Sequence, residues 1–282
     1  MSVAQLESRE IQIEAPSGLW REAWHRLIRN PAALAGFALV ALFVGVAVFA
    51  PLLAPYSPRD TVAPLTDSLQ APTWHHVAGL DEQARDEFSR VIFGARFSLA
   101  IGLVAVAAGL SLGLVLGSVA GYLGGFVDSL IMRLMDIMLA IPGLLLAIGI
   151  VAMLGQGLFQ IMIAVGVTNV PIFARLLRGS VLAQRETDFV LAARSVGVKR
   201  RWILFSHILP NAISPVIVQG TLAMATAIID VAGLGFLGLG PQDPRTPEWG
   251  QCLPASIATS RVRRISRSSP ASRSCSPSSG ST

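Results

Sequence analysis

Residues 137–174 form an unbroken run without a single acidic or basic side chain. A bilayer hydrocarbon core about 30 Å thick is crossed by about 20 helical residues, so this run is about twice as long as one crossing requires. Near its middle the sequence Gly155–Gln156–Gly157 supplies a turn. The run therefore predicts two helices that cross a membrane in succession, which excludes an ordinary soluble fold for this part of the chain.

Three further uncharged or nearly uncharged runs, 32–50, 97–120 and 212–229, are each long enough for one crossing. Only 14% of the residues are charged and 52% are hydrophobic, whereas about a quarter are charged in a typical soluble domain. The pattern predicts an all-α polytopic membrane protein with five transmembrane helices. The net charge of +5 also raises nucleic-acid binding as an alternative, but the apolar runs favour the membrane.

Arginine and lysine placement predicts the orientation, because cytoplasmic loops of membrane proteins are enriched in both. Basic residues precede the first run and cluster between the fourth and fifth, which predicts a cytoplasmic N-terminus. We expect a cytoplasmic leader with an interfacial helix at 1–30, a first transmembrane helix at 31–54, a periplasmic loop at 55–96, and a core domain at 97–250. The paired His75 and His76 in the loop are expected to be solvated, since two adjacent histidines do not make a metal site.

Glycines recur every fourth residue in the second run, which on a helix forms a groove without side chains. The groove predicts a tightly packed partner helix along Gly109, Gly113, Gly117 and Gly121, and the same spacing continues to Gly125. Pro142 and Pro171 are expected to interrupt or bend the third and fourth spans. Asp230 is an acid in an otherwise apolar segment, and it is either a wet interfacial residue or a lining residue of a translocation pathway.

The chain carries no chemistry of its own that could power transport. Lys199 is its only lysine, and Val198 directly precedes it where a P-loop requires glycine, so a P-loop is absent. No catalytic arrangement, cofactor motif or metal-ligand spacing is present, and two cysteines give no disulfide framework. We therefore expect no enzyme activity, no cofactor and no metal.

The segment 185–210 combines an Ala192–Ala193 pair, Gly197, a basic cluster that begins with Lys199 and Arg200, and Pro210. It resembles the cytoplasmic EAA loop of ABC-transporter permeases, although Leu191 stands where that family usually has glutamate. The resemblance implies that this loop docks on a separate ATPase, with coupling roles for Ala192, Ala193, Gly197, Lys199, Arg200 and Pro210. The basic residues are expected to meet acidic groups of the ATPase or to anchor the loop at lipid phosphates.

Three other stretches, 79–99, 121–147 and 236–251, resemble the dipeptide, oligopeptide and nickel permeases, specifically their C-type subunit. The resemblance implies the type I ABC importer permease fold in the bacterial inner membrane. It also implies a second homologous permease subunit, two ABC ATPase subunits and a periplasmic or lipid-anchored solute-binding protein as partners. The expected cargo is a dipeptide or oligopeptide, with glutathione or a nickel complex as alternatives.

After Gln251 these motifs stop, and the tail 251–282 holds eleven serines and five arginines with no apolar span. The family's sixth transmembrane helix is therefore not visible, and we hypothesise that a frameshift replaced the natural C-terminus. A genuine basic tail is the alternative. Two other functions stay open from the sequence, namely a truncated, non-functional permease and a channel or carrier that works without an ATPase.

Overall fold

A computed structural model describes residues 28–241, 243 and 245–253 of the protein. Over these residues the regular structure is helical, apart from one isolated bridge between Leu80 and Asp86. In chain order the helices are α1 Pro31–Val48, α2 Ala50–Leu53, a 3₁₀ turn Leu65–Asp67, α3 Glu87–Leu123, α4 Gly125–Ala140, α5 Gly143–Leu154, α6 Leu158–Arg185, α7 Asp188–Ser195, α8 Arg200–Trp202, a π-helix Ile203–Ile208, α9 Leu209–Ala212 and α10 Ser214–Phe236.

The described helices include four that are long and apolar enough to cross a membrane, or five if the bent pair α4–α5 counts as one crossing. The fold is therefore the all-α membrane fold that the apolar runs predict. The expected interfacial helix lies almost entirely outside the described residues, as does the tail from residue 254 onward.

The chain divides into two units, one ending at Gly45 and one beginning at Val46. In the first unit, α1 starts at Pro31, directly after Asn30. The Asn30 side-chain oxygen accepts hydrogen bonds from the backbone N–H groups of Ala32 (3.0 Å) and Ala33 (3.3 Å). Because the first N–H groups of a helix have no partner within it, this asparagine acts as the N-cap.

Helix α3 begins in the same way at its own cap. The Asp86 side chain accepts a hydrogen bond from the Ser89 backbone N–H at 2.8 Å, and the helix then runs 37 residues to Gly124, where φ is +67°. The predicted span 97–120 lies within this helix, which begins ten residues before it.

The predicted break at Pro142 is present and is sharp, because α4 and α5 meet at 94° there. The predicted turn between spans three and four is also confirmed: Gly155 has φ +91° and Gly157 has φ +154°. Pro171, however, does not interrupt its span. It is buried inside α6, which continues unbroken to Arg185.

Helix α10 extends seven residues further toward the C-terminus than the predicted span 212–229. Before it, the chain forms a π-helix, in which the Leu209 N–H donates to the Leu204 carbonyl five residues back. Pro210 explains this local change: it lacks an N–H, and its ring clashes with the carbonyl four residues earlier. The Asn211 side chain donates to the neighbouring His207 carbonyl at 2.7 Å and satisfies it.

The core of the second unit lies along α6, which packs against α3, α5 and α10. Phe173, Leu177 and Val181 of α6 are fully buried, and Ala227 and Leu234 of α10 join them in one apolar cluster. Contact between α3 and α6 is the most extensive of any helix pair. A fully buried side chain of this kind stabilises the fold by about 1.5–3 kcal/mol relative to water, and by less relative to lipid.

The glycine groove of α3 faces α6. A Cβ atom added at Gly109 would lie 2.5 Å from the Gly166 carbonyl oxygen, and one at Gly117 would lie 2.5 Å from the Ala174 carbonyl oxygen. At Gly113 the nearest atom would be the Phe173 Cβ, also at 2.5 Å, and at Gly121 it would be the Arg178 carbonyl oxygen at 3.0 Å. The backbones of α3 and α6 therefore lie in close contact at four glycines, spaced about one turn apart. Gly125 lies outside this seam, since a Cβ there would meet nothing within 4 Å.

Candidate functional site

The segment between α6 and α10 presents a short helix with an exposed surface. Val190 is fully buried and holds α7 against the bundle, while Phe189 and Leu191 are 43% and 49% exposed. Ala192 is exposed and Ala193 is partly exposed. Exposed apolar and small side chains side by side form a surface that another protein can cover closely, since no long side chain has to be moved away.

Gly197 ends α7 in a Schellman motif. The Gly197 N–H donates to the Arg194 carbonyl at 2.9 Å, and the Val198 N–H donates to the Ala193 carbonyl at 3.1 Å. Gly197 has φ +81°, the left-handed conformation that this motif requires and that glycine adopts without strain. Gly197 therefore turns the chain at the end of α7.

Two side chains that sequence reasoning missed tie this segment to the end of α3. The Tyr122 hydroxyl donates to the Arg200 carbonyl at 2.6 Å. The Arg185 Nη1 donates to the carbonyls of Gly121 (3.0 Å) and Tyr122 (3.3 Å), which are among the last carbonyls of α3. A cation at a helix C-terminus is favourable because it meets unpaired carbonyls and the negative end of the helix dipole.

The remaining residues predicted to couple lie at the same end of the bundle. Lys199, Arg200 and Pro210 are all exposed. Lys199 caps the start of α8, and Pro210 follows the π-helix. The six residues predicted to couple thus lie at one end of the bundle, and their coupling roles stay predictions.

Ion pairs between α4 and α6 stand at the ends of the uncharged run. Asp136 and Arg175, the charged residues that immediately border residues 137–174, pair with each other. One turn further along α6, Arg178 forms a two-point contact with Asp128, in which Arg178 Nη2 lies 2.6 Å from Asp128 Oδ2. The two ends of the run therefore lie at the same level, as a chain that crosses and returns requires.

Asp230 lies 16 residues into α10, about 24 Å along the helix from its start. It is half-buried. This position is compatible with both readings from the sequence, a wet interfacial acid and a pathway-lining residue, so the pathway role stays a prediction.

At the opposite end of the bundle from the coupling segment, residues 248–252 fasten α10 to the start of α3. Trp249 Nε1 donates to the Val91 carbonyl at 2.9 Å, and the Trp249 indole lies against Gly94. Gly250 lies so close to the Ala232 carbonyl that a Cβ would not fit. We call residues 248–252 the clasp. The clasp joins segments that are more than 150 residues apart in the sequence.

Next to the clasp, a group of polar side chains is buried. Asp81 and Arg85 pair with Nη2–Oδ2 2.6 Å, and both are less than a tenth exposed. Burial raises the pKa of Glu87 to about 7, against the opposing effect of Arg90, and burial also raises the pKa of the Cys252 thiol to about 12. Burial likewise raises the pKa of Glu248, in part offset by the backbone N–H of Gly250. The Glu87 and Glu248 carboxyl groups and the Cys252 thiol therefore stay neutral to a higher pH than in water.

His76 is not simply solvated, contrary to the expectation from the sequence. Its Nδ1 lies 3.0 Å from Asp86 Oδ1, and its ring lies 5.2 Å from that of Tyr56. The pairing holds the loop against the start of α3. Across the described stretches of the chain, no three His, Cys, Asp or Glu residues come together in a way that would hold a metal ion.

Comparison with known families matches two parts of the chain. Residues 113–259 match the binding-protein-dependent transport system inner membrane component family, which is more than half of the chain. Residues 18–72 match the N-terminal transmembrane domain of oligopeptide transport permease C. The first match passes Gln251, so the resemblance extends further than the sequence motifs alone indicated.

Individual relatives agree with this placement. The chain is 48% identical over 234 residues to a dipeptide transport system permease protein of Alkalihalophilus pseudofirmus, covering 83% of this chain and 76% of that protein. It is 47% identical over 243 residues to a glutathione transport system permease protein of Salmonella typhimurium, covering 86% and 78%. A di/tripeptide transport system permease protein of Pseudomonas aeruginosa is 44% identical over 244 residues, covering 84% and 79%.

The chain therefore belongs to the family of binding-protein-dependent transport system inner membrane components, and it is a non-catalytic, multi-pass permease subunit of an ABC importer for di- or oligopeptides or a related small solute.

Proposed function

We propose that this chain forms half of the translocation pathway of the importer and receives its driving motion through helix α7. The observation that carries the proposal is the exposed surface of Ala192 and Ala193 on a helix that is anchored by buried Val190 and ended by the Schellman turn at Gly197. A helix held in this way can be pressed by a partner without unravelling. It follows α6 after a two-residue link, so that displacement of α7 acts directly on the core helix.

The partners that we propose are a second homologous permease subunit, two ATPase subunits that close on ATP, and a solute-binding protein at the opposite face. The energy must come from such a partner, because the chain has no nucleotide-binding motif. We place the chain in the bacterial inner membrane with its N-terminus in the cytoplasm, on the basis of the arginine and lysine distribution.

The proposed cargo is a dipeptide or short oligopeptide, with glutathione, itself a peptide, as the nearest alternative. The names of the relatives support this choice. Asp230 is proposed to line the pathway at the end away from α7, where a carboxylate would meet the free amino group of a peptide.

The coupling proposal is tested by placing bulky side chains on the exposed face of α7. Ala192→Trp together with Ala193→Trp should abolish uptake and co-purification of the ATPase, because bulky side chains keep the partner at a distance. Gly197→Pro should do the same, since proline cannot adopt φ +81°. Ala183→Trp is the matched control: Ala183 is an exposed alanine in the last turn of α6. The proposal is wrong if the α7 variants bind the ATPase and support uptake as well as the control does.

Leu191 offers a gain-of-contact test of the same site. It occupies the position where the EAA motif usually has glutamate, and it is 49% exposed. Leu191→Glu should preserve or strengthen ATPase binding if α7 docks as proposed, whereas a merely structural apolar role would make the variant weaker. Uptake by purified chain in vesicles that contain no ATPase would contradict the whole proposal.

A further inference from the structure

A cavity of about 680 Å³ opens beside the coupling segment, between the end of α3 and the π-helix. This volume lies within the range of about 300–1,000 Å³ that is usual for small-molecule sites. Four of its ten lining residues are arginines, namely Arg185, Arg194, Arg200 and Arg201, and none is acidic. Tyr122 also lines it, with its hydroxyl bonded to the Arg200 backbone.

The positive charge in this cavity is not balanced within the described part of the chain. No ion pair to a carboxylate is formed there by Arg185, Arg194, Arg200 or Arg201. Arg185 is oriented by the carbonyls at the end of α3, but these carry only partial charge. Four guanidinium groups converging on one cavity repel one another, and an anion in the cavity would remove that repulsion.

Beside its arginines, the cavity has apolar lining residues and an aromatic rim that suit a lipid. Ile203 and Leu204 in its lining are buried, whereas Phe205 is 65% exposed. A more open recess of about 310 Å³ shares Arg201 and Phe205 and adds Trp202, which is 60% exposed. Tryptophan and arginine together, at the end of apolar helices, are typical of the membrane interface, where one part of the ligand is charged and the other is hydrocarbon.

From this combination we propose that the cavity binds the phosphate headgroup of an anionic membrane lipid, with Arg194, Arg200 and Arg201 around the phosphate. The acyl chains of the lipid lie along exposed Trp202 and Phe205. Basic pockets between membrane helices at the cytoplasmic side are suited to such headgroups, because the low dielectric strengthens each arginine–phosphate contact. The bound lipid would fasten the coupling segment to the bilayer at a site separate from the exposed alanines of α7.

An acidic surface of the ATPase is the competing occupant, and the geometry favours the lipid. The exposed alanines and Phe189 offer the soluble partner a surface on α7 itself. The cavity instead opens beside aromatic side chains that would remain uncovered by a charged protein surface. The two occupants make different demands, because only a lipid needs both the arginines and the exposed aromatic rim.

The proposal is tested with the assembled full-length transporter by native mass spectrometry, in a titration with phosphatidylglycerol or phosphatidylcholine. We expect a marked preference for phosphatidylglycerol. Arg194→Gln combined with Arg201→Gln should weaken phosphatidylglycerol binding by about 30-fold, since each arginine near the headgroup contributes about a fivefold preference. Arg133→Gln is the matched control, because Arg133 is exposed and does not line the cavity.

Four results would overturn the proposal. They are unchanged phosphatidylglycerol binding in the double variant, an equal loss in the Arg133 control, displacement of the lipid by millimolar inorganic phosphate, and loss of ATPase co-purification without loss of lipid. The third would identify a free phosphate as the ligand, and the fourth would assign the cavity to the ATPase. Because lipid binding is measured without transport, failure of the coupling role of α7 would leave this result intact.

Discussion

Adding one methyl group at each of two glycines in the α3–α6 seam should destabilise the protein more than the small size of a methyl group suggests. In Gly113→Ala and Gly117→Ala the new Cβ would lie 2.5 Å from the Phe173 Cβ and from the Ala174 carbonyl oxygen, respectively. Cβ contacts below 3.0 Å are essentially not found, so the helices must separate by at least 0.5 Å. Neither obstructing atom can rotate away, since one is backbone and the other is attached directly to it.

The expected magnitude follows from two opposing effects. Overpacking a closely packed site costs about 1–3 kcal/mol, and rigid obstructing atoms place these sites at about 3 kcal/mol. Alanine is a better helix former than glycine and offsets about 1 kcal/mol. The net loss is then about 2 kcal/mol for each substitution. For the double variant it lies between about 2 and 4 kcal/mol, because one separation of the helices relieves both contacts, and this corresponds to about 5–10 °C in the thermal midpoint.

The assay is the thermal midpoint of the purified protein in detergent, followed by loss of the monodisperse peak in size-exclusion chromatography. Gly179→Ala is the control: Gly179 lies in α6, the other helix of the seam, but a Cβ there meets nothing within 4 Å. The control should be neutral or more stable by up to about 1 kcal/mol. If the double variant melts within 2–3 °C of the control, by this same scale the seam does not hold the two backbones together as described.

Three further outcomes are expected. Burial raises the pKa of Glu87 from 4.5 to about 7, so the folded state binds a proton more tightly than the unfolded state. The free energy of unfolding should therefore fall as the pH rises from 4.5 through 7. Glu87→Gln should flatten this pH dependence, measured as the thermal midpoint. The Cys252 thiol, with its pKa raised to about 12, should resist maleimide at neutral pH in a Cys275→Ser background until the protein is denatured, and rapid labelling of the folded chain would contradict its burial. Asp128→Asn should cost about 1 kcal/mol for this partly exposed pair, and exchanging the charges in Asp128→Arg with Arg178→Asp should recover much of the loss in a thermal-shift cycle; no recovery would mean that the pair contributes nothing by attraction.

The sequence predicted the helices well because membrane crossing imposes a simple length and charge requirement. Residues 137–174 divide at the expected glycines, and the chain breaks at Pro142. The 94° bend there was not predictable, because the direction of a break depends on which surfaces the following helix can cover. Pro171 shows the opposite error: tertiary packing holds α6 continuous through a residue that would end an isolated helix.

The candidate site was predictable where it depends on local geometry. Gly197 is needed for a left-handed turn, which can be inferred from a lone glycine between two helical segments. The contacts of Tyr122 with Arg200 and of Trp249 with Val91 were not, since they join residues 78 and 158 positions apart. The only sequence signal is that each side chain is an amphipathic aromatic, which indicates a partner without identifying it.

The period of glycines predicted a closely approaching helix, and the structure supplies its identity as α6. Nothing in the spacing distinguishes α6 from α5 or α10, because each is apolar enough to serve. The π-helix at residues 203–208 was not predicted either. Pro210 and Asn211, whose side chain donates to the His207 carbonyl, are both visible in the sequence. Small shifts in helical winding require knowledge of which carbonyls have lost a donor.

The seam between α3 and α6 has a mechanical consequence. The backbone of α6 lies directly against the glycines of this seam. A shift of α3 by one residue relative to α6 would therefore place Leu112 or Leu114 where Gly113 now lies. Helices α3 and α6 therefore cannot slide or rotate against each other at low cost, and we expect them to move as one rigid unit. If α7 receives the driving motion as proposed, a displacement at the Arg185 end of α6 would be carried along a helix of 28 residues, about 42 Å in length.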